Sequence, residues 1–321
     1  MSVFSFCILH SEFCISYNDC MSDTPTSLLV VTDVPRLASR PMDSNKGTFG
    51  RVLIVSGSRG MSGAAVLSAS GALRGGAGLV RLAVPEGILT IVAAANPCYM
   101  TAPLPQDEHG RLSAAAGPEL LDLVRNNSVA ALGPGLGQSA ALGDMIAAIL
   151  EQTTTPLVLD ADALNVSVGR LDALRKHRGP VVLTPHPGEF ARLLGCDIAA
   201  VQANRQELAA EFARTHGVIV VLKGHGTVVT DGRRVFVNTT GNPGMATGGT
   251  GDVLCGLIAA LVGQKLETFA AAQLGVYLHG RAGDLAREQL GEASLIATDL
   301  LDFLPHAFQG HGGRGSFRRE A

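Results

Sequence analysis

The residues best placed to do chemistry lie in a glycine-rich segment, GNPGMATGGTGD, which runs from Gly241 to Asp252 and leads directly into the apolar run VLCGLIAALVG. Such a loop leaves backbone N–H groups free at the start of a helix, where the aligned peptide dipoles favour an anion such as a phosphate. A carboxylate in the first turn, here Asp252, would be positioned to take a proton from an attacking hydroxyl. Asp is also a frequent helix cap, so this segment taken alone supports a capping role equally well.

Two further glycine-rich loops are candidate ligand cradles. GPGLG, from Gly133 to Gly137, follows an apolar run and opens a helical one. It lacks the full GxGxxG spacing, and no acidic residue ends a second strand at the usual distance, so a dinucleotide-binding Rossmann domain is a poor interpretation. GSRGMSGAA, from Gly57 to Ala65, joins the first predicted strand to its helix and is equally consistent with a tight βα turn.

Polar residues also follow several of the apolar runs. They lie in DADALN from Asp160, in TPHPGE from Thr184, in KGHGT from Lys223, and at Asn242. Any one set has a structural explanation, since Asp160, Asp162 or Glu189 could cap a helix. Ligands bind beyond the carboxyl ends of the strands in open parallel sheets, so four sets beside one anion-binding helix start favour an enzyme site over capping alone.

The elements that must position these residues alternate short β-branched runs with longer alanine-rich stretches. This pattern predicts one α/β domain with a largely parallel central sheet and helices on both faces. The predicted strands are 52–56, 79–84, 129–132, 157–160, 181–184 and 218–223. Residues 227–230 and 234–238, joined by Asp231-Gly232, predict a late antiparallel hairpin. Residues 251–304 are almost entirely helical in pattern.

The composition excludes several classes of protein. With 321 residues and 46% hydrophobic content the chain can bury a large core, and a net charge of −3 with scattered Lys and Arg gives no basic face for nucleic acid. No apolar run is long enough for a membrane span. The six cysteines lack CxxC spacing, which argues against zinc and disulfides and favours a reducing, cytoplasmic location.

The two ends of the chain are expected to lie outside the main domain. Residues 1–45 are predicted to be an N-terminal extension that is in part disordered or the result of a start assigned too early. The first twenty residues lack the positive region and cleavage site of a signal peptide, and the protein is expected to begin at Met21 or nearby. The domain itself is assigned to residues 46–305. Residues 306–321, which are rich in Gly and Arg, are predicted to form a disordered tail.

Taken in order, the motifs closely resemble those of the ADP-dependent NAD(P)H-hydrate dehydratases, which repair damaged nicotinamide cofactors. The motifs that carry the resemblance are GRVLIVSGSRGMSGAAVLSASGALRGGAGLV, GPGLG, DADALN, TPHPGEFARLLG, LKGHGTVV and GNPGMATGGTGDVLCGLIAAL. The resemblance spans roughly residues 46 to 305 and implies a ribokinase-like fold, ADP as phosphoryl donor and a Mg²⁺ requirement. It further implies a homo-oligomer, by family habit a tetramer, and a functional pairing with an NAD(P)H-hydrate epimerase.

The resemblance also implies roles for individual residues. Those expected to contact the hydrated nicotinamide nucleotide are Ala64, Gly135, His186 and Asp252. Those expected to hold the adenine nucleotide are Lys223, Gly224, His225, Gly226, Thr227 and Gly251. The N–H groups of Gly249, Thr250 and Gly251 would form the anion hole. The thiamin-pathway kinases, which are similar in fold, usually read TPNxxE where this chain has TPHPGE, so His186 replaces an Asn while Glu189 remains as a candidate metal ligand. The KGxxT pattern, in place of KGxxD, favours ADP over ATP.

The reaction implied is phosphorylation of the C6 hydroxyl of NAD(P)H hydrate, with Asp252 as the base, followed by loss of phosphate to give NAD(P)H and AMP. Two alternatives stay open. The first is a small-molecule kinase that keeps its phosphorylated product, of the hydroxyethylthiazole or hydroxymethylpyrimidine type. The second is a nucleotide-binding regulator without catalysis, against which the intact Asp252, Lys223 and Asn242 argue.

Overall fold

The computed structural model describes residues 27–311, which form a ten-stranded sheet covered by helices. The strands are β1 Leu29–Val30, β2 Arg51–Val55, β3 Leu79–Pro85, β4 Met100–Leu104, β5 Val129–Leu132, β6 Leu157–Leu159, β7 Val181–Leu183, β8 Ile219–Leu222, β9 Val228–Thr230 and β10 Arg234–Val237. Their order across the sheet is β1-β10-β9-β8-β7-β6-β5-β2-β3-β4. All neighbours are parallel except that β9 runs antiparallel to β8 and β10. The predicted sheet and late hairpin are therefore confirmed.

Twelve α-helices lie in the described residues. They are α1 Ser62–Arg74, α2 Leu89–Ala95, α3 Gly117–Arg125, α4 Ala140–Gln152, α5 Asp162–Asn165, α6 Asp172–Lys176, α7 Pro187–Leu194, α8 Ile198–Ala203, α9 Arg205–His216, α10 Thr250–Gly263, α11 Thr268–Leu290 and α12 Ala297–His311. Short 3₁₀ helices cover Lys46–Phe49, Glu86–Ile88, Ala114–Ala116 and Pro243–Met245. None of the helices in residues 27–311 has the length and hydropathy needed to cross a membrane.

The sheet separates two hydrophobic cores because its central strands are apolar on both faces. Within β2, Val52 and Ile54 face the core formed with α1, α10, α11 and α12, whereas Leu53 and Val55 face the core formed with α3, α4, α7 and α9. All four side chains are fully buried. Alternation of this kind inside a continuous apolar run is expected for a parallel strand covered by helices on both sides.

Glycines bring α1 and α10 into close contact within the core that these helices share with α11 and α12. A Cβ atom added to Gly256 would lie 1.9 Å from the Ser68 carbonyl oxygen, and one added to Gly71 would lie 2.4 Å from that of Val253. The backbones of the two helices can approach this closely only because both positions lack a side chain. The packing fixes the direction of α10, which begins in the GGTGD segment.

The fold extends beyond the predicted domain limits on both sides. Residues of the predicted N-terminal extension form β1, and the Leu29 N–H donates to the Arg233 carbonyl over 2.9 Å. At the other end α12 continues through Pro305 to His311, so residues 306–311 are helical and do not belong to a disordered tail. The sequence prediction assigned these residues to the tail because the end of the chain is rich in Gly and Arg. The predictions for residues 1–26 and 312–321 concern residues outside the described part of the chain.

The sequence also missed β4 at the far edge of the sheet. Its sequence, MTAPL, is half exposed and contains Pro103, which lacks an N–H and is tolerated only at a sheet edge. The other predicted strands agree with the structure to within about one residue, a margin typical for element ends.

Candidate active site

The first turn of α10 is the centre of the candidate site. Gly249, with φ +92°, is its N-cap, and Asp252 lies three residues further on in the first turn. A Cβ atom at Gly249 would lie 2.4 Å from Leu67 Cδ1 of α1, so this position requires glycine for both backbone conformation and space. The Asp252 carboxylate accepts no hydrogen bond from any described residue. The cap position belongs to Gly249, and Asp252 is left free to act on a ligand.

A buried ion pair lies beside this turn. Lys223 Nζ donates to Asp160 Oδ1 over 2.7 Å, and the Asp160 side chain is only 1% exposed. Asp160 directly follows β6 and Lys223 directly follows β8, so the parallel sheet brings both to its carboxyl edge. A Cβ atom added to Gly251 would lie 3.3 Å from Lys223 Nζ, which places the ammonium against the start of α10. The sequence had treated Asp160 as a possible helix cap, and this pairing replaces that interpretation.

The charges around Asp252 adjust its acidity. Burial and the nearby Asp160 carboxylate raise the pKa of Asp252 to about 7, although the Lys223 ammonium acts to lower it. Burial lowers the pKa of His279, on α11, to about 4, so its ring is neutral at physiological pH. Its Nε2–H donates to the Thr250 carbonyl over 2.9 Å and holds the first turn of α10 in place. A carboxyl group that titrates near neutral pH is suited to general-base catalysis.

The first turn of α1, which carries Ala64, meets the GPGLG loop, which carries Gly135. Gly135 has φ +64°, and a Cβ atom added there would lie 2.9 Å from the Ala64 side chain. Ser58 Oγ donates to the Gly135 carbonyl over 2.8 Å and ties the two loops together. The structure thus places two of the predicted substrate-contacting residues side by side, with Met61 against the same point.

The segment after β6 directs its two carboxylates to different partners. Asp160 pairs with Lys223, while Asp162 Oδ2 accepts a hydrogen bond from the Gly137 N–H over 2.8 Å. Between them Ala161 adopts φ 49° and ψ −114°, a conformation that costs an alanine about 1–3 kcal/mol. Strain of this kind persists only where the surrounding structure enforces it, and it clusters at functional sites.

His186 and Glu189 form a capping box at the start of α7. His186 Nδ1 accepts hydrogen bonds from the N–H groups of Gly188 and Glu189 over 3.0 and 3.2 Å. Glu189 Oε2 accepts one from the His186 N–H over 2.8 Å. Because Nδ1 is an acceptor, the neutral ring carries its proton on Nε2 and can present it as a donor. The capping interpretation of Glu189 is therefore correct in geometry.

The same geometry tests whether Glu189 fits a magnesium ion. No group of three or more His, Cys, Asp or Glu side chains in residues 27–311 has the arrangement of a metal site. Mg²⁺ bound to a nucleotide, however, is usually held by one or two carboxylates together with phosphate oxygens and water. Glu189 Oε1 makes only a 3.3 Å contact with His186 Nε2, so this oxygen fits the role of a single protein contact to such an ion.

The KGHGT loop depends on an arginine that sequence reasoning missed. Arg205 Nη2, from the first residue of α9, donates to the carbonyls of Leu222 and Lys223 over 2.9 and 3.2 Å. Thr227 Oγ1 closes the loop with a 2.9 Å bond to the Gly224 carbonyl. The loop is also joined to TPHPGE, since the Lys223 N–H donates to the Pro185 carbonyl over 2.8 Å. No local pattern marks Arg205, because its partners lie in a distant strand end.

Asn242 is anchored away from Asp252. Its side-chain N–H donates to Asp284 Oδ1 over 3.1 Å, and Asp284 Oδ2 accepts the Gly241 N–H over 3.0 Å. Asp284, on α11, is a second residue that the sequence did not indicate. Asn242 thus shapes the glycine-rich loop and, among the described residues, its side chain makes no hydrogen bond with Asp252.

A cavity of about 590 Å³ lies elsewhere, between the C-terminal ends of α1 and α10. Its lining includes Arg40, Phe49 and Gln264. At 1.5 Å per residue, the length of α10 places Gln264 roughly 18 Å from Asp252. The candidate site is therefore identified by the chemistry of its side chains and not by this cavity.

Comparison with known proteins identifies close relatives of the chain. A sequence profile described as NAD(P)H-hydrate dehydratase matches residues 52–306. The bifunctional NAD(P)H-hydrate repair enzyme of Moorella thermoacetica is 48% identical over 85% of this chain, which spans only 52% of that relative. The ADP-dependent (S)-NAD(P)H-hydrate dehydratase of Neisseria meningitidis is 40% identical over 82% of this chain and 86% of its own length.

A solved structure is similar as well. The ADP/ATP-dependent NAD(P)H-hydrate dehydratase from Bacillus subtilis, co-crystallised with ATP/Mg²⁺, has a TM-score of 0.75 and 31% sequence identity. The match covers 86% of this chain and 95% of that one. The chain spans about half the length of the bifunctional relatives that it matches but nearly all of the Bacillus subtilis chain.

Proposed function

Because the chain belongs to the NAD(P)H-hydrate dehydratase family and has the ribokinase-like fold, we propose that it dehydrates (S)-NAD(P)H hydrate with ADP as phosphoryl donor. The products are NAD(P)H, AMP and phosphate. The observation that carries the proposal is the free Asp252 carboxylate, with a pKa of about 7, in the first turn of α10 beside Lys223. A base next to an anion-binding helix start is what the transfer of a phosphoryl group to a hydroxyl requires.

In the first step Asp252 takes the proton of the C6 hydroxyl of the hydrated nicotinamide ring. The oxygen attacks the terminal phosphoryl group of ADP, a new O–P bond forms, and the bond to AMP breaks. The N–H groups of Gly249, Thr250 and Gly251 face the charge that develops on the transferred group, and the Lys223 ammonium adds a second positive contact. The neutral His279 secures this turn through the Thr250 carbonyl.

In the second step the ring nitrogen donates its electron pair, the C6–O bond breaks and phosphate leaves. The departing phosphate then accepts a proton from C5, which restores the C5=C6 double bond of NAD(P)H. The small residues Ala64 and Gly135 would allow the ring to approach closely, and the Nε2–H of His186 would donate a hydrogen bond to it. Lys223, Gly224, His225, Gly226 and Thr227 would hold the adenine nucleotide.

A magnesium ion, when bound with the nucleotide, would neutralise part of the negative charge on its phosphates. Glu189 Oε1 is the oxygen of this chain that would contact it. Arg205 would hold the conformation of the KGHGT loop through its hydrogen bonds to the backbone. The buried Asp160–Lys223 pair would exclude water from the floor of the site.

We further propose that the enzyme acts together with an NAD(P)H-hydrate epimerase. The relatives that match this chain over only half of their length are called bifunctional repair enzymes, so a second activity accompanies the dehydratase in those proteins. A homo-oligomer, such as a tetramer, and a cytoplasmic location remain predictions. Sedimentation equilibrium would determine the oligomer.

The test of the function is product analysis with ADP and with ATP. Hydrated NADH plus ADP should recover the absorbance of NADH, and ³¹P NMR should reveal AMP and inorganic phosphate in equal amounts. Asp252→Asn should abolish this turnover. Asp144→Asn removes a carboxylate from an exposed pair with Arg170 and should keep the wild-type rate. A stable phosphomonoester formed from a vitamin precursor, without dehydration, would identify a small-molecule kinase instead, and nucleotide binding without turnover would identify a regulator.

A further inference from the structure

The Asp160–Lys223 pair poses an electrostatic problem at the proposed site. The N-terminal end of a helix carries a partial positive charge, which repels a cation. Yet the Lys223 ammonium lies against the first turn of α10, close enough that a Cβ atom at Gly251 would be 3.3 Å away. A flexible lysine side chain would not remain there in the absence of a counter-charge.

Asp160 supplies that counter-charge from a position that the fold enforces. It is 1% exposed, and its backbone N–H donates to the Leu132 carbonyl over 3.1 Å. A Cβ atom at Gly133 would lie 1.8 Å from the Asp160 carbonyl oxygen, so glycine is required there for the two strand ends to meet. The strained Ala161 then turns the chain immediately after Asp160. Burial and three features of the backbone thus fix the position of the Asp160 carboxylate.

On the basis of the proposed function, we propose that Asp160 is a positioning residue: it anchors the Lys223 ammonium beside Asp252 and adjusts the charge that the base experiences. Its carboxylate accepts a hydrogen bond from Lys223 Nζ and makes none with Asp252. Its effect reaches the chemistry through Lys223 and through its own negative charge.

Other titratable groups face the pair from the surrounding elements. They are Asp252 and Cys255 on α10, His186 and Glu189 at the start of α7, and His279 on α11. Burial raises the pKa of the Cys255 thiol and lowers that of His279, so both are neutral near pH 7. Burial also acts to lower the pKa of Lys223, but the carboxylates of Asp160 and Glu189 outweigh it and the pKa is raised. Of these two carboxylates, Asp160 is the one that accepts a hydrogen bond from the Lys223 ammonium.

The first test measures the lysine itself, without turnover. The chain has four lysines, so reductive methylation with ¹³C-formaldehyde gives few NMR signals, and Lys223→Arg identifies the signal of Lys223. In the wild type this signal should titrate above the range of an ordinary lysine, and in Asp160→Asn its pKa should fall. An ordinary or lowered pKa in the wild type would overturn the proposal even if Asp160→Asn failed to fold.

The second test is the pH profile of kcat/KM, which reports ionisation of the free enzyme. Since the Asp160 charge raises the pKa of Asp252, Asp160→Asn should move the acidic limb to lower pH by about 1 unit. It should also lower kcat roughly 10- to 100-fold through misplacement of Lys223. A purely structural role would lower the rate without moving the limb. Asp144→Asn, the same chemical change in an exposed pair, should alter neither the rate nor the limb.

Two results would overturn the proposal in the kinetic test: an unmoved acidic limb, or recovery of the Asp160→Asn rate by excess Mg²⁺, which would assign Asp160 to the metal. The two experiments also separate this inference from the proposed function. If the wild type fails to dehydrate NADH hydrate while the Lys223 pKa still falls in Asp160→Asn, the anchoring stands and the proposed function is wrong.

Discussion

Replacing Asp252 with Asn should stabilise the protein at alkaline pH while it removes the proposed base. Burial and the Asp160 carboxylate raise the pKa of this carboxyl group from its ordinary 3.8 to about 7. Because the pKa in the folded state lies above that in the unfolded state, the group contributes stability below about pH 3.8. That contribution is lost as the pH rises through about 7. Asn resembles the neutral acid in shape and carries no charge at any pH.

The magnitude follows from the difference in pKa. Each tenfold change in acidity corresponds to about 1.4 kcal/mol, so the full difference is worth about 4 kcal/mol. Asp252 is half-buried, and residual contact with water reduces this figure. We expect the stability difference between Asp252→Asn and the wild type to grow by about 2 kcal/mol between about pH 5 and about pH 8.5.

The assay is urea unfolding of both proteins at the two pH values, followed by circular dichroism. Asp144→Asn, in which the carboxylate is exposed, is the control and should show no such growth. A stability difference between Asp252→Asn and the wild type that is equal at both pH values would refute the reasoning, because it would mean that the Asp252 carboxylate is ionised in the folded state as easily as in the unfolded chain.

Two other substitutions test the scaffold of the site. Gly256→Ala should destabilise the protein by about 1–3 kcal/mol in urea unfolding, because the added Cβ would lie 1.9 Å from the Ser68 carbonyl oxygen. The control is Gly310→Ala, at a helix position with open space, which should leave the stability unchanged or slightly raised. Arg205→Met should raise the KM for ADP roughly tenfold while kcat at saturating ADP stays near wild type, since two carbonyl hydrogen bonds of the nucleotide loop are lost. An unchanged KM in steady-state assays would mean that the KGHGT loop holds its shape without Arg205.

Much of the architecture could be predicted from the sequence because its signals are local. A strand buried on both faces must be apolar throughout, as in Val129–Leu132, whatever its neighbours are. The hairpin was predictable because Asp231 and Gly232 provide the turn: Asp231 Oδ1 accepts the N–H groups of Arg233 and Arg234, and Gly232 has φ +85°. The helix start at GGTGD was predictable from its glycines because this signal is also local: Gly249, with φ +92°, is the N-cap of α10.

Signals were weak where short elements lie at the margins of the sheet. The two residues of β1 show no periodicity, and the proline in β4 argues against a strand unless its edge position is known. The extension of α12 to His311 was missed because residues 306–311 were grouped with the Gly- and Arg-rich residues that follow them.

The sequence by itself therefore determined the class of fold, the order of its elements and the glycine-rich loops. The tertiary structure decided which groups surround Asp252 and Asp160. As a sequence feature Asp252 fits a cap and a base equally, and only the fold assigns the cap to Gly249. Asp160 and Lys223 are 63 positions apart and become partners only because β6, β7 and β8 lie side by side. Local propensity acts over a few residues, whereas the burial and charge that set a pKa depend on strand order.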